Sequence, residues 1–198
     1  DFKTLHKKLG QTFILTTHVQ EHALTLADTM MVMNTGVIEQ MGTPDEIYCK
    51  PRTVFAARFV GDISLFPGEV TSKEDREYFV KTEFGELKAL APNGTDLVGK
   101  RLAYGIRPEF VKVGGEAASC ENKYKVKLAG QYYLGNLVEC MFEVKGGVIL
   151  RATLSPETAI NLRLGETYAV GWHSEDAILL EKPSVVEGLN IEEVIYGK

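Results

Sequence analysis

The chain has 198 residues, of which 44% are hydrophobic and 25% charged, and its formal net charge is -5. This composition is typical of a folded protein with a sizeable core and one large or two small domains. It lacks the apolar run of about 18 residues needed for a membrane span and the basic, then apolar, start of a secretory signal. Three widely spaced cysteines without a C-x-x-C motif favour a reducing cytoplasm over a disulfide scaffold or a zinc site. The acidic balance argues against a general nucleic-acid binder.

The first elements alternate between helical and strand periods. Residues 1–9 have apolar positions spaced by three and four, which predicts the end of an amphipathic helix that Gly10 stops. Residues 12–17 are apolar and β-branched without polar alternation. This pattern predicts a strand buried on both faces, as in a parallel α/β sheet.

The next residues continue this alternation. Helical spacing returns over residues 19–27, and residues 29–33 and 37–41 predict two strands that pair across a turn. Thr43 is placed to cap a following helix with Pro44 at its first position and Glu46 at its third. A last helix is predicted over residues 53–60.

The pattern changes after Asp62. From Phe66 onward, short strand-like runs alternate with glycine or polar turns, which indicates an all-β barrel or sandwich. The predicted strands are 77–82, 85–89, 101–106, 124–133, 137–144, 147–153, 167–172 and 177–181. A short terminal helix is predicted over residues 184–196. The prediction is therefore an α+β chain with two domains, a partial α/β domain over 1–65 and a β domain over 66–198.

His18 is the most informative single residue. It lies at the carboxyl end of the predicted parallel strand, which is the edge where ligands bind in open α/β sheets. A neutral imidazole there can donate a hydrogen bond to a phosphate oxygen. The alternative is that His18 caps the following helix or fills a polar corner.

Several motifs around His18 resemble the region that follows Walker B in ATP-binding subunits of ABC importers. The matching stretches are Thr17-His18-Val19-Gln20, Leu26-Ala27-Asp28, Gly36-Val37-Ile38 and Gly42-Thr43-Pro44. The resemblance implies a P-loop NTPase-type remnant in which His18 is the switch (H-loop) residue that contacts the γ-phosphate of ATP. The chain departs from the family at Val19, where an aspartate is usual, and at His22, where a glutamate is common.

The β domain resembles the accessory OB-type (TOBE) barrel of sugar, polyamine and iron importers. The motifs are Gly105-Ile106-Arg107-Pro108-Glu109, Tyr133-Leu134-Gly135-Asn136-Leu137-Val138-Glu139 and Trp172-His173-Ser174-Glu175-Asp176. Their physical interpretation is mainly structural, with tight bends at the glycines, a strand end at the proline, an Arg–Glu pair and a core tryptophan. The structural motif residues of the barrel are Gly105, Arg107, Pro108, Glu109, Gly135, Asn136, Glu139 and Trp172.

The sequence lacks a G-x-x-x-x-G-K-[ST] loop and a Leu-Ser-Gly-Gly-Gln signature. Family order puts these motifs, and Walker B, upstream of residue 1. We therefore expect a C-terminal part of a larger subunit, in which ATP and Mg²⁺ act only in the full-length protein. For this chain alone we expect no ATPase activity, no cofactor and no metal site.

The resemblance also implies partners and a location. These are a second copy of the ATPase subunit and transmembrane permease subunits, at the inner face of the cell membrane. The exposed remnant predicts self-association, and the barrel would serve regulation and subunit contact.

Two other functions remain open. One is an oligonucleotide-binding barrel, against which residues 66–198 hold 16 Lys and Arg but 20 Asp and Glu. The other is a small-oxyanion-binding barrel, which backbone N–H groups can form without any sequence signature.

Overall fold

The computed structural model describes residues 2–90, 96–144, 147–186, 188 and 190–196. The chain divides into two compact units. The first contains Asp1–Gly61 and Lys182–Leu189, and the second contains Asp62–Glu181 and Asn190–Lys198. Residues 182–189 therefore belong to the first unit although they follow the β domain in sequence. The predicted division at residue 65 places them in the β domain.

The first unit is mainly helical with one hairpin. Its elements are α1 (Phe2–Leu9), α2 (Gln20–Leu26), β1 (Met30–Asn34), β2 (Val37–Gly42), α3 (Pro44–Cys49) and α4 (Val54–Phe59). β1 and β2 pair antiparallel. The predicted capping box is confirmed, because the Thr43 hydroxyl accepts from Glu46 N–H while the Glu46 carboxylate accepts from Thr43 N–H. Its small core contains Met30, Val32 and Ile47.

The predicted strand over residues 12–17 is wrong. Residues 11–19 form neither helix nor strand, and Ile14 is 92% exposed. A parallel strand is held by hydrogen bonds to neighbouring strands, and the only sheet in this unit is the β1–β2 hairpin within the described residues. An apolar, β-branched sequence is not sufficient without those neighbours.

The second unit is an all-β body of two five-stranded antiparallel sheets, as the strand pattern predicts. Its strands are β3 (Ser64–Glu74), β4 (Glu77–Thr82), β5 (Gly85–Leu90), β6 (Arg101–Ile106), β7 (Lys112–Val113), β8 (Asn122–Tyr133), β9 (Val138–Glu143), β10 (Ile149–Leu154), β11 (Thr167–Trp172) and β12 (Ile178–Leu180). The first sheet has the order β12-β6-β3-β4-β5 and the second β10-β9-β8-β11-β7. Together they form a curled half-barrel around one core.

Two short helices complete the second unit. They are α5 (Pro156–Ala159) and α6 (Ile191–Tyr196). The helix predicted over residues 184–196 is thus confined to its last six residues. Ser184 instead packs in the first unit, where its side chain is buried.

Strand β3 is the long strand that the sequence pattern does not predict. Pro67 lies where β3 pairs only with β6, before the pairing of β3 with β4 begins at Gly68. A Cβ on Gly68 would lie 2.7 Å from Val80 Cγ1 and 2.8 Å from Thr82 Cγ2. The glycine therefore permits close packing against β4 inside a strand.

The two sheets are joined by hydrogen bonds around the Tyr104 hydroxyl. This group donates to Lys88 C=O at 2.8 Å and accepts from Trp172 Nε1 at 2.7 Å and from Asn122 Nδ2 at 3.3 Å. Asn122 on β8 also bonds both backbone groups of Lys88 on β5, at 2.7 Å and 3.0 Å. The Asn122 side-chain amide thus forms with Lys88 the two hydrogen bonds that a neighbouring strand would otherwise form. Burial raises the pKa of Tyr104, so the phenol remains a donor.

We predict that Tyr104→Phe lowers the free energy of unfolding by about 1–3 kcal/mol, because the buried Trp172 N–H loses its acceptor. Denaturant unfolding followed by Trp172 fluorescence measures the change. Tyr132→Phe, which removes an exposed hydroxyl, is the control. Equal stability of the two variants would contradict the role given to the Tyr104 hydroxyl.

Candidate functional site

His18 lies in the irregular segment between α1 and α2 and its side chain is exposed. The local order comes from the Thr17 hydroxyl, which accepts from Val19 N–H at 3.0 Å. Val19, not His18, precedes α2 as its N-cap residue, and no side chain caps that helix end. The helix-capping interpretation of His18 therefore has no support here, and its role as the switch residue stays a prediction.

Gly105, Arg107 and Pro108 form a packed corner at the end of β6. A Cβ on Gly105 would lie 2.8 Å from Ile63 Cδ1, so a side chain there would displace Ile63. Arg107 is 1% exposed, and its Nη1 donates to Asp62 C=O at 3.2 Å. Pro108 is buried and begins a 3₁₀ turn directly after the strand. The pairing of Arg107 with Glu109 stays a prediction.

The second and third barrel motifs lie in different surroundings. Gly135 has a φ of 93° in the turn between β8 and β9, where Asn136 is also exposed, so this turn needs glycine. Glu139 on β9 accepts from Arg151 Nη1 on β10 at 2.7 Å. Trp172 is completely buried and belongs to the core. The barrel motifs therefore form no common ligand site in the described residues.

Glu39 on β2 is an important residue that the sequence pattern does not predict. Its side chain is 4% exposed and accepts from four donors of the first unit. The donors are Ser184 Oγ, Thr53 Oγ1 at 2.9 Å, Asn34 Nδ2 at 3.1 Å and Val185 N at 3.1 Å. A buried carboxylate needs such partners to remain charged. Glu39 thereby fastens residues 184–185 to the hairpin.

These hydrogen bonds also set the ionisation of Glu39. Burial raises its pKa, but the bonds from Ser184, Asn34, Val185 and Thr53 together outweigh burial, so the pKa of Glu39 lies below its usual value of 4.5. The carboxylate is therefore the stable form near neutral pH.

The same returning segment completes helix α4. Val54 N–H donates to Lys182 C=O at 3.0 Å and Phe55 N–H donates to Pro183 C=O at 2.9 Å. The first N–H groups of a helix have no partner within the helix, so these carbonyls satisfy two of them. We refer to residues 182–186 as the return segment.

No helix among the described residues is long and apolar enough to cross a membrane. In the same part of the chain, no group of three or more His, Cys, Asp or Glu side chains is arranged to hold a metal ion.

The half-barrel and its motifs match a known family of domains. The TOBE domain family model matches residues 104–180. The second unit thus contains a TOBE domain, which confirms the resemblance seen in its motifs.

The similarity to known proteins extends beyond the TOBE domain to about 90% of the chain. It is 38% identical over 183 residues to the spermidine/putrescine import ATP-binding protein PotA of Trichormus variabilis, covering 90% of this chain and 48% of that protein. It is 33% identical to the same-named protein of Rubrobacter xylanophilus, covering 91% and 48%. The chain therefore matches a C-terminal part of ABC importer ATP-binding subunits. It spans about half the length of these relatives.

A solved structure supports the barrel fold. The cytoplasmic molybdate-binding protein ModG matches with a TM-score of 0.53 over 58% of this chain and 93% of its own, at 18% identity. At this identity the likeness concerns the fold alone.

We predict that Glu39→Gln destabilises the first unit by about 1–3 kcal/mol at neutral pH, because charge-assisted hydrogen bonds are lost. The folded-state pKa of Glu39 is lowered, so its contribution is complete above pH 4.5 and is lost as the pH falls through the folded value. The stability gap between wild type and variant should therefore narrow in acid.

Hydrogen exchange at Val54, Phe55 and Val185 measures this gap, after correction for intrinsic exchange rates. Glu21→Gln, on the exposed surface of α2, is the matched control. A gap that is constant between neutral pH and pH values well below 4.5 would contradict the assignment.

Proposed function

We propose that this chain is the C-terminal part of the ATP-binding subunit of an ABC importer that takes up polyamines. The observation that carries the proposal is the identity of 38% over 183 residues, which extends over both units rather than the barrel alone. The oxyanion alternative has support of a weaker kind, since 18% identity to a molybdate-binding protein shows only a shared fold. No comparable observation favours the oligonucleotide alternative.

His18 is the residue proposed to act on ATP. Its imidazole can donate one hydrogen bond to the γ-phosphate, where charge shifts during phosphoryl transfer. It is exposed in a segment without regular structure, so the rest of the subunit would have to position it. In this proposal the chain would supply one contact to ATP, and its sequence has no phosphate-binding loop. Mg²⁺ would bind with ATP to residues outside this chain.

The hairpin supports the proposal that the first unit is part of a larger α/β ATPase domain. Its outer side chains are uncharged and about half exposed, with Met31 opposite Met41 and Met33 opposite Ile38. Such an apolar sheet face is costly in water, and a further part of the domain would cover it. The missing neighbours of residues 12–17 would lie in the same part.

The barrel has a different proposed role. We assign it to regulation and to contact between two ATPase subunits, which together would bind the transmembrane permease subunits. The protein would then lie in the cytoplasm, peripheral to the inner face of the membrane.

The test of the catalytic proposal is His18→Ala in the full-length subunit. We expect ATP turnover to fall by about 10²–10³-fold, as on removal of one hydrogen bond made mainly in the transition state. Nucleotide affinity should change only a few fold, because one hydrogen bond contributes little to binding of a triphosphate.

His22→Ala is the matched control, since His22 lies four residues further on and is also exposed. It should keep nearly the parent rate of turnover. Hydrolysis at the parent rate by His18→Ala would show that His18 is not the switch residue.

We also predict that this chain self-associates through the hairpin face in the absence of the rest of the domain. Light scattering across the micromolar range should show a mass that rises with concentration. Met31→Lys with Ile38→Lys should abolish the rise, because charges on the face prevent its burial. The control Val98→Lys, at a similarly exposed apolar residue of the second unit, should not. A strictly monomeric wild type would contradict the prediction.

A further inference from the structure

The outer face of the second sheet carries a group of lysines, which we call the lysine face. Lys123, Lys125 and Lys127 alternate along β8 and are exposed, while the residues between them point into the core. Lys112 on β7 lies on the same side, because Gly171 of β11 pairs with both Lys112 and Lys123. Four cations therefore share one surface of a chain whose net charge is -5.

Small residues lie beside these lysines on strand β11. Thr167 is opposite Lys127, Ala169 is opposite Lys125 and Gly171 is opposite Lys123. Thr167 and Ala169 are exposed, so a partner can approach the sheet closely beside Lys127 and Lys125. Gly171 is buried, because Ala117 and Cys120 lie over it, and they separate Lys123 from Lys112. The surface is a shallow basic strip rather than an apolar groove.

None of the ion pairs in the described part of the chain involves these lysines. Glu143 lies opposite Lys127 in the sheet register but forms no ion pair with it in this part of the chain. Lys123 donates to Ala118 C=O at 3.1 Å, which is a neutral acceptor. Elsewhere in the same unit, Lys88, Lys100 and Arg101 are each paired with a glutamate. The strip is therefore a local excess of positive charge.

We infer that the lysine face binds an acidic, extended polypeptide segment of a partner protein. Side chains two residues apart on one face of a strand are separated by about 6.8 Å, and alternate carboxylates of an extended acidic segment have the same spacing. Successive carboxylates can therefore face successive lysines of β8. Charge complementarity of this kind gives orientation and a fast association rate that depends on salt.

An acidic protein segment fits this surface better than a nucleic acid does. Single-stranded nucleic acids are held by aromatic side chains that stack on bases as well as by cations. The four lysines and the three β11 residues beside them include no aromatic ring. The acidic remainder of the unit would also repel a long polyanion that extends beyond the strip.

The test uses the complete chain and a labelled peptide of alternating glutamate and threonine, roughly twelve residues long to match a strand of this sheet. Fluorescence anisotropy at low ionic strength should detect binding that weakens as salt is added. Lys125→Glu with Lys127→Glu should weaken binding by about tenfold or more, since attraction becomes repulsion at two positions. Lys125→Gln with Lys127→Gln should give a smaller loss of the same kind.

Lys7→Glu with Lys8→Glu on α1 is the matched control, because it changes the net charge equally at exposed positions of the first unit. It should leave affinity within about threefold of wild type, since distant surface charges are screened. Near-ultraviolet circular dichroism of Trp172 verifies that each variant is folded. An equal loss in the control, no binding at low salt, or tighter binding of a single-stranded oligothymidylate of the same length would each overturn the inference.

Discussion

The hydroxyl group of Tyr104 is the point at which the barrel is held together. It is buried and forms one donated and two accepted hydrogen bonds, to groups from β5, β8 and β11. Sheets that only pack face to face can slide, whereas hydrogen bonds with fixed directions define one alignment. On another side of the barrel, the Ser64 hydroxyl accepts from Arg151 N–H at 3.0 Å and links β3 to β10. Polar contacts between the sheets thus complement the apolar core in fixing the barrel.

Glu39 holds the parts of the first unit together as Tyr104 holds the barrel, but through a charged carboxylate rather than a phenol hydroxyl. The core of that unit is small, so directional bonds from Ser184, Thr53 and Asn34 matter more to its stability than they would in a larger domain. The carboxylate also determines which part of the chain is held, since a hydrophobic residue at position 39 would offer no partner to the return segment. The unit is therefore specified by a polar cluster as well as by packing.

Local patterns allowed much of this fold to be predicted. Strands β4, β6 and β11 lie at their predicted residues, and the capping box at Thr43 is as predicted, because alternation and capping depend on neighbours in sequence. Strand β3 was not predicted, since the need for Gly68 arises from Val80 and Thr82 on another strand.

The residues of the candidate site and the buried Glu39 were less predictable than the strands. His18 was singled out by its place after a predicted strand and by a family resemblance. Only the resemblance still supports it, because residues 11–19 form no strand. Glu39 gave no signal, because a glutamate in an alternating strand usually faces water and its partner Ser184 is 145 positions away. Long-range polar contacts of this kind leave no periodic trace in a sequence.

The return segment gives the chain an order of assembly during synthesis. Residues 54 and 55 leave the ribosome early, but the carbonyls that complete their hydrogen bonds belong to Lys182 and Pro183. At roughly 5–20 residues per second, translation of the intervening barrel delays those partners by on the order of ten seconds. Most strands of the barrel emerge during that interval, and β12, which pairs with β6, emerges just before the return segment. Until then, the polar groups of α4 and Glu39 remain in water. Slow translation or premature termination within the barrel would therefore expose the first unit, although every residue of 1–61 had already been made.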